Sequence, residues 1–164
     1  MASNSIHSSP SYSFSLDNTN ELHLKRYIET RKNQEILGGL IGDIKGKTKK
    51  GLEFAIKSFL PFPNMAQDKR NFGDLSSLWF EILEEWRLYN YPKLKFIGFL
   101  HSHPNNSSRL SVQDNSFAVS LRERYGTMLF IIIGENVTLR CYLFKNETPI
   151  IITGNCSYYK CLLR

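Results

Sequence analysis

An α/β or α+β sandwich, a mixed sheet carrying three helices, is the fold class the sequence predicts, and three observations predict it. Short apolar runs of strand length alternate with segments whose apolar residues recur at helical spacing. The strand-like runs come as a pair around the Lys/Gly stretch 45–51 and as a group of three near the C-terminus. Read in order, the chain gives strand, helix, two strands, helix, strand, helix and three strands, with no internal repeat and no interdomain linker.

At 164 residues the chain is long enough for one domain with a real core. Residues 1–9 are Ser/Asn-rich and read as a disordered tail, leaving 10–164 as the single domain. "YSFSL" (12–16) alternates apolar and polar residues as a half-buried strand does. Asp17, Asn18 and Thr19 supply N-cap chemistry. Leu22, Leu24, Tyr27 and Ile28 then mark a helix over about 20–32. "EILGGLIGDIKG" reads as a strand from Glu35, its glycines 38, 39 and 42 signalling close backbone approach to a neighbour. "LEFAIKSFLPF" (52–62) returns after a solvated hairpin turn at "KGKTKKG" (45–51). A surface loop precedes an amphipathic helix in which Leu75, Leu78, Trp79, Ile82, Leu83 and Trp86 form one stripe. "KFIGFLHSH" (95–103) is a strand, and a helix follows over about 112–124. The last three strands are "TMLFIIIG" (127–134), "VTLRCYLFK" (137–145) and "PIIITGN" (149–155).

Composition narrows the function classes. The net charge of +6, from 21 Lys+Arg against 15 Asp+Glu, suggests an acidic partner, but part of the excess sits in the 45–51 turn. Nucleic-acid surfaces interleave basic residues with exposed aromatics; no such stripe is present, and no nucleic acid is expected. No apolar run approaches the roughly 20 residues that cross a bilayer, so no membrane partner is expected. The N-terminus has neither the basic nor the apolar region of a secretory signal, and a cytoplasmic protein is expected. Cys141, Cys156 and Cys161 are odd in number and lack paired metal spacing, which fits reduced thiols in that compartment.

Chemistry concentrates in "HSHPNNSSRLSVQD" (101–114). On a strand, His101 and His103 point the same way and Ser102 the other, so two imidazoles converge on one cation. Asp114 is an available third ligand. Ser111, three residues before Asp114 at a helix start, also reads as the N-cap of a capping-box variant. Two nitrogens and one carboxylate leave a fourth tetrahedral position open, as catalytic zinc sites do and cysteine-rich structural ones do not. Such chemistry needs a general base beside the water. Glu35 is the better candidate than Asp74, Glu81, Glu84 or Glu85, because an unpartnered carboxylate opening an apolar strand is costly unless used.

These residues resemble the signature of the JAMM (MPN+) metalloproteases: His-Ser/Thr-His-Pro, a loop, then Ser-x-x-Asp. "EILGGLIG" resembles that family's upstream Glu-x-x-Gly-x-x-x-Gly segment, with Glu35, Gly38 and Gly42 in register, and the likeness spans about residues 10–155. The resemblance implies a JAMM/MPN fold, a mixed curved sheet flanked by about three helices and cytidine deaminase-like. It implies one Zn²⁺ per chain held by His101, His103 and Asp114. Glu35 would move the proton and Ser111 would donate to the developing oxyanion. The implied substrate is a ubiquitin-like protein or its conjugate, cut after its C-terminal Gly in a bacterial conjugation pathway of the antiviral type. The chain resembles a small stand-alone, deubiquitinase-like member.

Alternative readings are a peptidase for a sulfur-carrier protein or phage tail component, and a non-catalytic MPN-like interaction module. RadC-type proteins share a His-x-His…Asp arrangement but carry Ser-Gly-Asp after the Pro, where this chain has Asn105-Asn106-Ser107. The loop 61–74 and the helix after it are expected to capture substrate, with a flexible tail adding as a strand.

Overall fold

The computed structural model describes residues 11–47, 51–68, 76–104 and 106–163. The expected tail, the tip of the 45–51 turn, Leu75 and part of the 61–74 loop lie outside these. Alternating burial sets β1 (Ser11–Leu16), whose Phe14 and Leu16 are buried. Asp17 caps α1 (Asn18–Glu29), its side chain accepting from Asn20 N at 2.9 Å. β2 (Leu37–Lys47) and β3 (Gly51–Phe62) form an antiparallel pair with a register shift at Ile41/Gly42. Then come α2 (Ser77–Asn90), β4 (Lys95–Ser102) and α3 (Val112–Tyr125). β5 (Met128–Ile133), β6 (Thr138–Phe144), β7 (Ile150–Asn155) and the two-residue β8 (Lys160–Cys161) complete the chain.

The sandwich expectation is overturned by how these strands join. Their order is β5-β4-β2-β3-β1-β7-β6, and β6 pairs back onto β5, closing a seven-stranded barrel; β8 adds to β6 outside the ring. The architecture is therefore mostly a closed barrel with three helices, not the expected JAMM/MPN α/β sandwich with its mixed curved sheet. The closing contacts explain why the sequence did not show it. β1 pairs in parallel with both β3 and β7, joining strands far apart in the chain, and no turn residue announces a parallel pairing. β8, too short for any periodicity, was not foreseen.

Two cores result. Inside the barrel, Phe14, Leu40, Phe54, Leu100, Ile131 and Leu139 meet Leu24 of α1. Outside, Phe62, Phe99 and Phe130 of the sheet pack against Phe80 and Leu83 of α2 and Leu121 of α3. β5 is buried along its whole length because one face lines the lumen and the other lies under helices. α2 presents Phe80 and Leu83 inward with Trp79 and Trp86 packed alongside, and leaves Leu78 and Ile82 at 55% and 38% exposure, so the expected stripe holds at Trp79, Leu83 and Trp86 and shifts onto Phe80. Gly39 permits this approach: a Cβ there would meet Leu83 Cδ2 at 2.6 Å. No helix among the described residues is long and apolar enough to cross a membrane.

Candidate metal centre

β4 carries His101 at its outer face, in register with Ile132 of β5 and Leu37 of β2. Its neighbours Phe99 and Leu100 belong to the outer and inner cores respectively, so the strand is held on both faces. His103 lies just past the strand, its N–H donating to the Ile133 carbonyl at 2.8 Å. The imidazoles stand at 86° with centroids 4.9 Å apart. Glu35 precedes β2, and this approach is fixed by two bonds to β4. Ile36 N donates to Ser102 Oγ at 2.9 Å, and Ser102 N donates to the Ile36 carbonyl at 2.8 Å. Asn64 Nδ2 also donates to the Glu35 carbonyl at 3.1 Å.

Asp114 enters from the first turn of α3. Ser111 Oγ accepts from Asp114 N at 3.0 Å while Asp114 Oδ2 accepts from Ser111 N at 2.9 Å, a reciprocal capping box. The cap and the site share one carboxylate. Asp114 Oδ1 lies 3.5 Å from His101 Nε2, and Oδ2 lies 3.1 Å from His103 Nε2. Ser111 is exposed, and its hydroxyl also interacts with the Asp114 carboxylate.

Among the described residues, Glu35, His101 and His103 each offer a ligand atom, all within 4.8 Å of one another. Asp114 touches both imidazoles as well, so two carboxylates compete for the third position. Metal–ligand bonds of about 2.0–2.1 Å in a tetrahedron put ligands about 3.3 Å apart. The Asp114 separations of 3.5 and 3.1 Å come from its two different oxygens, one facing each imidazole, and Glu35 Oε2 stands 3.8 Å from His101 Nε2. Both carboxylates therefore stand within reach of a cation held by the two imidazoles, Asp114 spanning them with one oxygen apiece.

The electrostatics suit a cation. Burial pushes the His101 pKa down to about 4, which outweighs the nearby Asp114 charge and keeps the ring neutral and ligand-competent. Its ring has only a weak interaction with the Ile36 backbone, and Nδ1 is buried without a well-formed hydrogen bond. Burial also opposes charge on His103, but hydrogen bonds with Asp114 and Ser107 outweigh it and raise its pKa. His103 Nδ1 lies 3.0 Å from the Ser107 carbonyl, which keeps a proton on Nδ1 and leaves Nε2 as the nitrogen facing the site. Burial works against the Asp114 charge, yet bonds from His103 and Ser111 hold its carboxyl below the ordinary range. Two imidazoles and a held carboxylate fit Zn²⁺ as a donor set.

All five residues singled out in the sequence thus fall in one place. The supporting residues Ser102, Ser107, Ser108, Arg140 and Tyr142 were not foreseen. Of these only Ser102 left a trace, as the residue facing away between two histidines.

No family model matches this chain, and no curated protein matches it. It is similar to protein DSY2949 from Desulfitobacterium hafniense, known from a solution structure, with TM-score 0.63 and 18% identity over 93% of this chain and 94% of that one. At that identity the likeness concerns the fold alone.

Proposed function

We propose that the chain is a zinc-dependent hydrolase of peptide or isopeptide bonds, with His101, His103 and Asp114 as the metal ligands. One observation carries this reading: two adjacent imidazoles with two carboxylates beside them, Asp114 facing both rings with one oxygen apiece and Glu35 3.8 Å from His101. Zinc held there supplies Lewis acidity, polarising a carbonyl and making a water acidic enough to react near neutral pH. The chain's own groups do the rest. Glu35 accepts the proton of the attacking water and delivers it to the leaving amine. Ser111, held in place as the helix cap, donates its hydroxyl proton to the developing oxyanion. His103 keeps its proton on Nδ1 throughout, because the Ser107 carbonyl holds it there.

The substrate proposed is the C-terminal tail of a ubiquitin-like protein, cut after its terminal Gly in a cytoplasmic bacterial conjugation pathway. This extension is supported by the resemblance of residues 101–114 to the JAMM motif, and it rests on the site rather than on the barrel. The test is incubation with ubiquitin-like proteins fused at their C-termini to a reporter. Cleavage abolished by a chelator and by Glu35→Gln is the expected result. Cleavage indifferent to both refutes this mechanism.

A further inference from the structure

Among its described residues the loop that joins the two histidines to Asp114 has no helix or strand, yet it sets the position of three of the groups just described. Its anchors lie on β6. Arg140 is a charged side chain with only 7% exposure, and its Nη1 donates to Ser108 Oγ at 2.9 Å. Ser108 is fully buried. One step along the same face, the Tyr142 hydroxyl accepts from Leu110 N at 3.2 Å and donates to the Ser108 carbonyl at 3.4 Å. Across the sheet, Arg140 stands in register with Ile132, which is in register with His101. The guanidinium and the first histidine therefore share the barrel's outer face, two strands apart.

The β5–β6 turn pins the loop from a second side. Glu135 N donates to the Asn106 carbonyl at 2.8 Å, and a Cβ at Gly134 would meet Ser108 N at 2.4 Å. Ser107 is thus held between two anchored neighbours, and its carbonyl orients His103. Leu110, bound to Tyr142, immediately precedes the Ser111–Asp114 cap. Burying a guanidinium costs several kcal/mol unless its hydrogen bonds compensate. Packing alone would be served equally by an apolar residue, as at neighbouring Ile132.

We propose that Arg140, aided by Tyr142, is a positioning residue that fixes the 103–111 loop and so the mutual geometry of His103 and Asp114. Resting on the zinc reading above, it deepens that reading by naming what prearranges the ligands. Partners that orient metal ligands typically contribute about 10- to 100-fold in metal affinity when removed.

The experiment compares the wild type with Arg140→Met, Arg140→Lys and Tyr142→Phe. Zinc affinity is read by competition with a chelating dye, ligand geometry by the absorption spectrum of the Co²⁺-substituted protein, and folding by thermal melting. The expected result is a folded Arg140→Met protein with zinc affinity about 10- to 100-fold weaker and an altered cobalt spectrum. Arg140→Lys should recover part of the loss, and Tyr142→Phe should weaken binding less than Arg140→Met. Amide hydrogen exchange of the metal-free protein is the independent arm, with residues 106–111 expected to exchange faster in Arg140→Met, or in Tyr142→Phe should Arg140→Met not fold. Unchanged affinity and cobalt spectrum in folded variants overturn the proposal. A wild type that binds no zinc removes the functional reading instead, and unchanged exchange at 106–111 then overturns the positioning role by itself.

Discussion

Replacing Glu21 with Gln should destabilise the protein by about 2–4 kcal/mol, although Glu21 lies outside the proposed metal centre. Its carboxylate is fully buried in α1 and accepts three backbone N–H groups from the segment before β8. Oε1 accepts from Tyr158 N at 2.6 Å and Tyr159 N at 3.0 Å, and Oε2 accepts from Ser157 N at 2.7 Å. Gln has the same shape and keeps one acceptor oxygen, so the two bonds at Oε1 survive as neutral ones. At the other position an NH₂ faces the Ser157 N–H, donor against donor. One buried donor left unsatisfied costs about 1–3 kcal/mol, and loss of charge assistance in the remaining two bonds adds about 1 kcal/mol. Urea unfolding followed by circular dichroism measures the total, and amide exchange at 157–159 shows where it is lost. A change below about 0.5 kcal/mol with those amides still protected would refute the claim that Glu21 clasps this segment to α1.

Three other outcomes follow from the same bonds and packing. Leu83→Ala should cost about 2–5 kcal/mol and Leu78→Ala less than about 0.5, since only Leu83 faces the outer core; equal losses in urea titrations would contradict the observed buried face of α2. The Asp17 carboxyl is held below its ordinary pKa chiefly by the Asn20 N–H, so its stabilisation is present above about pH 4 and fades as pH falls through the depressed value. Asp17→Ala should therefore cost about 0.5–1 kcal/mol at neutral pH and progressively less as the pH falls through the depressed value; a loss independent of pH counts against a charged cap. Ser111→Gly should cost only a few tenths of a kcal/mol as a cap but lower the proposed hydrolysis about 10²- to 10³-fold, while undiminished turnover would remove Ser111 from the chemistry.

Local signals in the sequence reached further than global ones. The strand 95–103 and the helix start at Ser111 are governed by near neighbours, through alternation and capping, and the observed β4 and α3 begin within a residue of those expectations. Glu35 could be singled out because a carboxylate before an apolar run is locally costly. The barrel could not, because its closure depends on β1 finding β7 and β6 finding β5, and β strands apolar on both faces suit a buried sheet as well as a barrel wall. The face of α2 was legible only in part, at Trp79, Leu83 and Trp86, for a related reason. Leu78, Phe80, Ile82 and Leu83 offer more than one apolar stripe, and Phe80 is selected by tertiary contacts, T-shaped against Phe99 at 5.8 Å and Phe62 at 6.3 Å. Arg140 left no signal at all: an arginine inside "VTLRCYLF" acquires meaning only once β6 runs beneath the 103–111 loop.

Zinc content tests the central claim most directly. Wild-type protein saturated with zinc and passed through a desalting column should retain one zinc per chain by elemental analysis, and His103→Ala should retain none while remaining folded. Retention of a full equivalent of zinc by a chain lacking both His101 and His103 would contradict the account.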